Sequence, residues 1–378
     1  MPETLTARTL ITAIGTVLYP VIEFDDAGLI TDISSDPSVR SEAILTPTLL
    51  DIHIHGAAGH DVMDATPTGL SAMQRFLAVR GTSHYLPTTV TASIDDTLRA
   101  LERLATAVEC PTACDEATPI GIHLEGPFLS HAKRGVHPAA LLQSPTIALF
   151  DRFYEAARGH IRLLTLAPEV PGALDVIRHA TAKGVRVSLG HTNATADEAR
   201  AAIAAGAVSA THTFNAMRPL DHREPGVVGV VLDTPGLFAE LICDGIHVAP
   251  ELVRLWLRVK ADKAILVTDA ISATGMPDGP AMLAGLPVTV SNGKATLTDA
   301  PGTLAGSVLT LDQAVANLQR FTGCTLEQAV RCASAHPATL LGLSDTIGSL
   351  RPGQPASFNQ FSVAGRLEAT YLRGRHIA

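Results

Sequence analysis

The sequence predicts a (β/α)8 barrel of the TIM type, with a small β-sandwich built from the two chain ends. Three observations lead there. Eight apolar, β-prone runs recur along the chain, at 49–54, 83–86, 120–124, 161–166, 185–189, 208–210, 238–243 and 264–267. Helical spacing fills most of the intervals between them, as in Leu70, Met73 and Leu77, or Leu98, Leu101 and Ala105. Alternation of this kind implies a parallel sheet, and eight units suggest a closed one. The third observation concerns the ends of the runs. One after another closes on a histidine or a carboxylate: His53 and His55, Glu125, His191, His212, Asp244 and Asp269. In such a barrel the C-terminal strand ends converge on one mouth, where active sites are built.

The chain ends read differently. Residues 1–46 are rich in Thr, Val, Ile, Asp and Gly, with the turn signal Asp25-Asp26-Ala27-Gly28, and read as short strands. From about residue 343 the pattern returns, with a Gly348 to Gly353 turn and strand-like stretches at 356–361 and 367–372. We therefore expect a sandwich from residues 1–46 plus 343–378, and a barrel over 47–342.

Bulk properties narrow the function classes. A chain of 378 residues, 46% hydrophobic, can bury a large core. Aromatics make up only 4%, with a single Trp256, which argues against a stacking platform for bases or sugars. The net charge of −9 carries no basic block, so nucleic acid and anionic membrane are not expected partners. An anionic substrate would need a local cationic pocket. No apolar run approaches about 18 residues and none resembles a signal peptide, so a soluble, cytoplasmic protein is expected. Five scattered cysteines lack a zinc-site spacing and read as reduced thiols.

The first strand-end motif is Asp51-Ile52-His53-Ile54-His55-Gly56. Residues two apart on a strand face the same way, so His53 and His55 can share one metal ion. Glu125, in Gly121-Ile122-His123-Leu124-Glu125, fits a helix cap or an ion pair when read alone, and a metal ligand when read beside the histidines. His191 and His212 repeat the pattern on the fifth and sixth runs. Either by itself fits a satisfied core histidine. Asp269, closing the eighth run, suits the base that a hydrolytic metal site needs, and also a second contact to the metal or a helix N-cap. His247, in Asp244-Gly245-Ile246-His247, is read as a substrate contact that orients or polarises a carbonyl. Arg223, in Asp221-His222-Arg223-Glu224-Pro225-Gly226, has the chemistry for bidentate phosphate recognition, and equally that of a solvated surface cation.

These segments resemble those of the N-acetylglucosamine-6-phosphate deacetylases, within the amidohydrolase superfamily, over nearly the full length. The matching stretches are DIHIHG, GTSHYLPTTVTAS, GIHLEGPFLS with KRGVHP, LGHTNAT, THTFNAM, HREPGVVG, ICDGIHV, LVTDAISATG, GTLAGS and ASAHPATLLG. The H-x-H and the later histidines are shared across the superfamily, whereas HLEGPF, HTFNAM, REPG and DGIHV together are specific. The resemblance implies that Glu125, His191 and His212 hold a divalent ion. His53 and His55, absent from some relatives, make a second ion plausible. Zinc, iron, manganese and cobalt all suit such mixed ligands. It further implies Asp269 as general acid/base and His247 near the scissile amide. Asn215, the backbone of Ala216 and Arg223 match the phosphate-binding part. That arginine is lent between subunits in some relatives, which implies a homodimer. His137 and Leu304 match substrate-lining positions.

Two departures stand out. Ser83-His84 replaces a stretch that often holds Thr, which places His84 near the mouth in this reading. Ser357 stands where an aspartate is usual, a change expected to touch the sandwich alone. The implied reaction is hydrolysis of a phosphorylated amino sugar's acetamide to acetate and the free amine. Rival readings are another N-acyl amino sugar, such as N-acetylgalactosamine 6-phosphate, and a catalytically silent relative.

Overall fold

The computed structural model describes residues 3–13 and 15–377. Eight strands form the expected parallel sheet: β1 (Leu49–Ile54), β2 (Thr82–Thr89), β3 (Ile122–Glu125), β4 (Ile161–Leu166), β5 (Arg186–Leu189), β6 (Ser209–Ala210), β7 (Phe238–Ile242) and β8 (Ala264–Val267). Each pairs in parallel with the next in chain order. Between β8 and β1 the seam is closed by a single bridge, Ile54 to Ala270. One side-chain and one main-chain hydrogen bond reinforce it. Thr268 Oγ1 donates to Asp51 Oδ2 at 2.5 Å, and the Asp269 N–H donates to the His53 carbonyl at 2.9 Å. Burial pushes the Asp51 carboxyl up to about 6 against the hydrogen bonds that it accepts from Thr268 and the His53 N–H.

The strands read as continuous apolar runs because both faces are covered, the usual state of parallel sheets. β2 runs past the predicted end through Leu86-Pro87-Thr88-Thr89. Pro87 cannot donate to the ladder, and the register shifts between Tyr85 and Pro87. Thr88 is tolerated in the interior because its hydroxyl accepts from the Ile54 N–H at 2.9 Å.

The surrounding helices start where the sequence signals a start. α1 (Pro67–Val79) opens on Pro67 with Thr66 as its cap, and buries Leu70, Met73 and Leu77. α2 (Ile94–Glu109) is capped by Ser93 with Asp95 and Asp96 in its first turn.

The chain ends pair with each other. A six-stranded sheet takes Thr9–Thr12, Gly15–Leu18 and Ile44–Pro47 from the first segment, with Phe358–Phe361, Leu367–Leu372 and Arg375–Ile377 from the last. Its centre is the antiparallel match of Pro47 with Phe358 through Ile44 with Phe361. A three-stranded sheet (Glu3–Thr6, Pro20–Phe24, Ile30–Ser35) shares a core with it through Leu10, Ile22, Phe24, Leu45 and Phe358.

A further four-stranded antiparallel sheet was not expected from the sequence. It spans Gly279–Leu283, Leu286–Ser291, Lys294–Leu297 and Ala300–Leu304, after β8. Leu283, Val288, Val290 and Ala295 pack it on Val90, Ile271 and Ala305 at the barrel mouth. Asp61 Oδ2 pins it by accepting the Ala284 N–H at 2.7 Å. Among the described residues no helix is long and apolar enough to cross a membrane.

Candidate active site

At the mouth the strand ends bring six ligand-type side chains into two clusters. One is His53, His55 and Asp269, the other Glu125, His191 and His212. Glu125 joins them. Its Oε1 lies 3.3 Å from both His191 Nε2 and His212 Nε2 and 3.5 Å from His53 Nε2, while Oε2 is 3.3 Å from His55 Nε2. Asp269 Oδ1 is 3.1 Å from His55 Nε2 and 3.6 Å from His53 Nε2.

Several of these residues are bent into place. His191, His212 and Asp269 have positive φ (47°, 29° and 51°), a backbone region that ordinary residues rarely occupy. Such positions cost on the order of 1–3 kcal/mol each, and three together at strand ends turn their side chains into one mouth. Gly306 explains part of the GTLAGS motif. At φ 58° its absent Cβ would lie 2.8 Å from the Asp269 carbonyl oxygen, so only glycine lets the two loops approach.

The donor set fits divalent metal. His55 Nδ1 donates to the Thr88 carbonyl at 2.9 Å and His191 Nδ1 to the Lys133 carbonyl at 3.1 Å. In the neutral rings this leaves bare Nε2 lone pairs facing inward. Yet Nε2 of His191 and His212 stand 3.0 Å apart, and those of His53 and His55 3.2 Å apart. Nitrogens so placed repel unless a cation or proton lies between them. Glu125 Oε1 is buried without a satisfying hydrogen bond despite three imidazole nitrogens around it. Burial lowers His55, but the Asp269 and Glu125 carboxylates outweigh it and raise the ring to about 9. Burial raises Asp269, and the His53 and His55 rings more than reverse this, holding its carboxyl at about 2.

A cavity of about 360 Å³ opens over these groups, at the small end of ligand sites. His137, Asn215, Ala216, His247, Asp269 and Leu304 all line it. His137 is buried, with Nδ1 2.8 Å from Thr91 Oγ1 and Nε2 3.7 Å from Glu125 Oε2. His247 is oriented by Asp244, which accepts both its Nδ1 proton and its main-chain N–H. Lys133 is the one Lys or Arg among the lining residues, and sequence reasoning did not single it out. Arg223 stands apart, exposed and outside this chain's own cavity lining.

His84 also corrects the sequence reading. It sits near the start of β2, opposite Leu50, at the far end from the mouth. It lines a small cavity with Ser83, Ser357 and Arg373, where strand and terminal segment meet. A run of apolar residues does not reveal which of its polar neighbours falls at which end. His123, from the HLEG motif, is a satisfied core histidine, held by the Ile52 carbonyl at 3.1 Å and Thr165 Oγ1 at 2.8 Å.

Comparison with known proteins agrees with this geometry. The Amidohydrolase family model matches residues 44–376. The chain is 38% identical to an N-acetylgalactosamine-6-phosphate deacetylase of Escherichia coli O157:H7, covering 99% of each chain. It is also 38% identical to an N-acetylglucosamine-6-phosphate deacetylase of Vibrio furnissii, covering 94% of this chain and 90% of the relative. Among solved structures, it superposes with a TM-score of 0.93, at 32% identity, on the N-acetylglucosamine-6-phosphate deacetylase of Mycobacterium smegmatis, covering 100% of this chain and 99% of that one. That structure is of an aspartate-to-alanine variant in complex with N-acetylglucosamine 6-phosphate. The Thermotoga maritima N-acetylglucosamine-6-phosphate deacetylase matches with a TM-score of 0.90 at 31% identity, covering 100% of this chain and 99% of that one. The chain belongs to the amidohydrolase family, among the amino-sugar-6-phosphate deacetylases.

Proposed function

We propose that this protein hydrolyses the acetamide of N-acetylglucosamine 6-phosphate, giving glucosamine 6-phosphate and acetate. The observation that carries the reading is the meeting of two ligand clusters at Glu125, with Asp269 beside them on the cavity lining. Glu125, His191 and His212 would hold one divalent ion and His53, His55 and Asp269 a second, with zinc, iron, manganese and cobalt all chemically suited. Ions held there would supply Lewis acidity to polarise the carbonyl and to make water acidic near neutral pH.

This chain's own residues do the rest. Asp269, ionised at neutral pH, takes the proton of the attacking water. His247 faces the carbonyl oxygen and donates to the charge that develops there, a contact worth roughly 3–4 kcal/mol. Asp269 then passes its proton to the departing amine. Asn215 and the Ala216 main chain receive the phosphate. The position of Arg223 outside its own cavity supports its supply by the second subunit of a homodimer. We place the protein in the cytoplasm.

A second reading has its own support, since the Escherichia coli relative that matches over 99% of both chains deacetylates the galactose epimer by name. Acetate release should be compared for N-acetylglucosamine 6-phosphate, its galactose epimer and the unphosphorylated sugar. The reading predicts a clear preference for the first. Preference for the epimer would transfer the assignment to the second reading, and indifference to the phosphate would end both.

A further inference from the structure

We propose that Glu240 is a positioning residue for His53, and that it is needed to keep the ion held by His53, His55 and Asp269. The inference rests on the metal-dependent reading above and concerns a residue outside the ligand set. Glu240 lies in the middle of β7 in the stretch Phe238-Ala239-Glu240-Leu241-Ile242, and it is fully buried. Neither carboxyl oxygen has a hydrogen-bond partner among the described residues. A carboxyl left unpartnered in a barrel interior is strongly unfavourable, so Glu240 calls for a partner.

His53 is the one that geometry offers. Its Nδ1 is 3.6 Å from Glu240 Oε2, and that nitrogen is likewise buried without a hydrogen bond. At this distance the two form an ion-pair contact rather than a closed hydrogen bond. His55 and His191 are different, because each anchors Nδ1 on a main-chain carbonyl. Of the four histidines in the two clusters, His53 alone meets a carboxylate there among the described residues, while His212 Nδ1 has no hydrogen-bond partner. Histidine ligands need an acceptor on the far nitrogen to fix tautomer and ring direction, and a carboxylate adds basicity and negative charge. His123 packs its edge against the same ring, with centroids 4.7 Å apart, and limits the directions open to it. Glu240 therefore sets the direction of His53 Nε2 toward Glu125 and Asp269.

The test counts zinc in purified wild type, Glu240→Leu, Glu240→Gln and His53→Ala after dialysis against graded chelator. Melting of the metal-free chains is followed in parallel. At intermediate chelator wild type should retain two ions where His53→Ala and Glu240→Leu retain one. The second ion should leave Glu240→Leu at about 10–100-fold lower chelator. Glu240→Gln, which keeps an acceptor oxygen and nearly the same shape, should fall between and carries the test if the leucine variant does not fold. Wild-type retention in either folded Glu240 variant would overturn the proposal. So would a wild type with one ion that His53→Ala also keeps, or equal loosening of both ions together with a lower melting temperature. Deacetylation by the wild type is measured separately, so failure of the substrate reading would not be mistaken for failure of this one.

Discussion

His247 Nδ1 lies 2.6 Å from Oδ2 of Asp244, whose other oxygen accepts the His247 and Ile246 N–H groups at 2.8 and 2.7 Å. The pair leaves Nε2 as the nitrogen facing the cavity. With Nδ1 donating to Asp244, Nε2 donates to a substrate oxygen only from the doubly protonated ring. Burial raises the Asp244 carboxyl, but the His247 contacts hold it below the usual carboxylate value, so it is ionised at neutral pH. Replacing His247 with Ala should lower kcat about 10²–10³-fold, the range for losing one preorganised donor. Asp244→Asn should cost less, since the ring remains but loses its anchor. Steady-state kinetics with metal counted in each variant checks this, and an unchanged kcat for His247→Ala would remove the residue from the chemistry.

Asp269 is assigned the proton transfers. Asp269→Asn keeps the shape while removing the base, and should lower kcat by about 10²–10⁴-fold. The Glu125, His191 and His212 cluster does not include it, so the ion held there should remain. Turnover near wild type with that ion in place would show that another group moves the proton.

Arg223 is exposed and does not line its own cavity, which makes its action across a subunit boundary testable. Arg223→Ala should raise KM far more than it lowers kcat, as expected for a contact to a remote phosphate. Mixed dimers of Arg223→Ala and Asp269→Asn chains should then regain low-KM activity. In them an intact Asp269 faces an intact Arg223 of the other chain. No gain on mixing would assign the arginine to its own subunit or to no role in binding.

His84 provides a pH prediction away from the metal ligands. Burial lowers its pKa from 6.5 to about 4, with the Arg373 charge adding to the effect. The unfolded chain therefore takes up a proton between these values that the folded chain refuses. Its contribution to stability is complete above about 6.5 and declines as the pH falls to about 4. Thermal unfolding of His84→Gln should lose less melting temperature between pH 7.5 and pH 5 than wild type does. Parallel losses would show that the ring is not held neutral.

Much of this was legible in the sequence because a buried parallel strand announces itself twice, by its apolar run and by the polar residue that ends it. His53, His55, Glu125, His191, His212 and Asp269 were all found that way, and the structure brings them together. Other features followed rules that single residues do not display. Glu240 carried a signal, a lone carboxylate inside an apolar run, but it passed as part of the strand because its partner lies on another strand. The Gly279–Leu304 sheet has short strands whose alternation is weak against the barrel pattern around it. His84 was misplaced because apolar periodicity fixes a strand's face without saying how far along it a side chain sits.

On the proposed reading, amide hydrolysis depends on ions gathered at Glu125. The most direct measurement is acetate release from N-acetylglucosamine 6-phosphate by wild type and Glu125→Gln, each metal-counted, before and after chelator stripping and zinc return. Wild-type release should vanish with the ions and return with them, while Glu125→Gln, its shared ligand weakened, should stay nearly inactive and metal-poor. Release by the stripped wild type at its original rate, or full activity in Glu125→Gln, would contradict it.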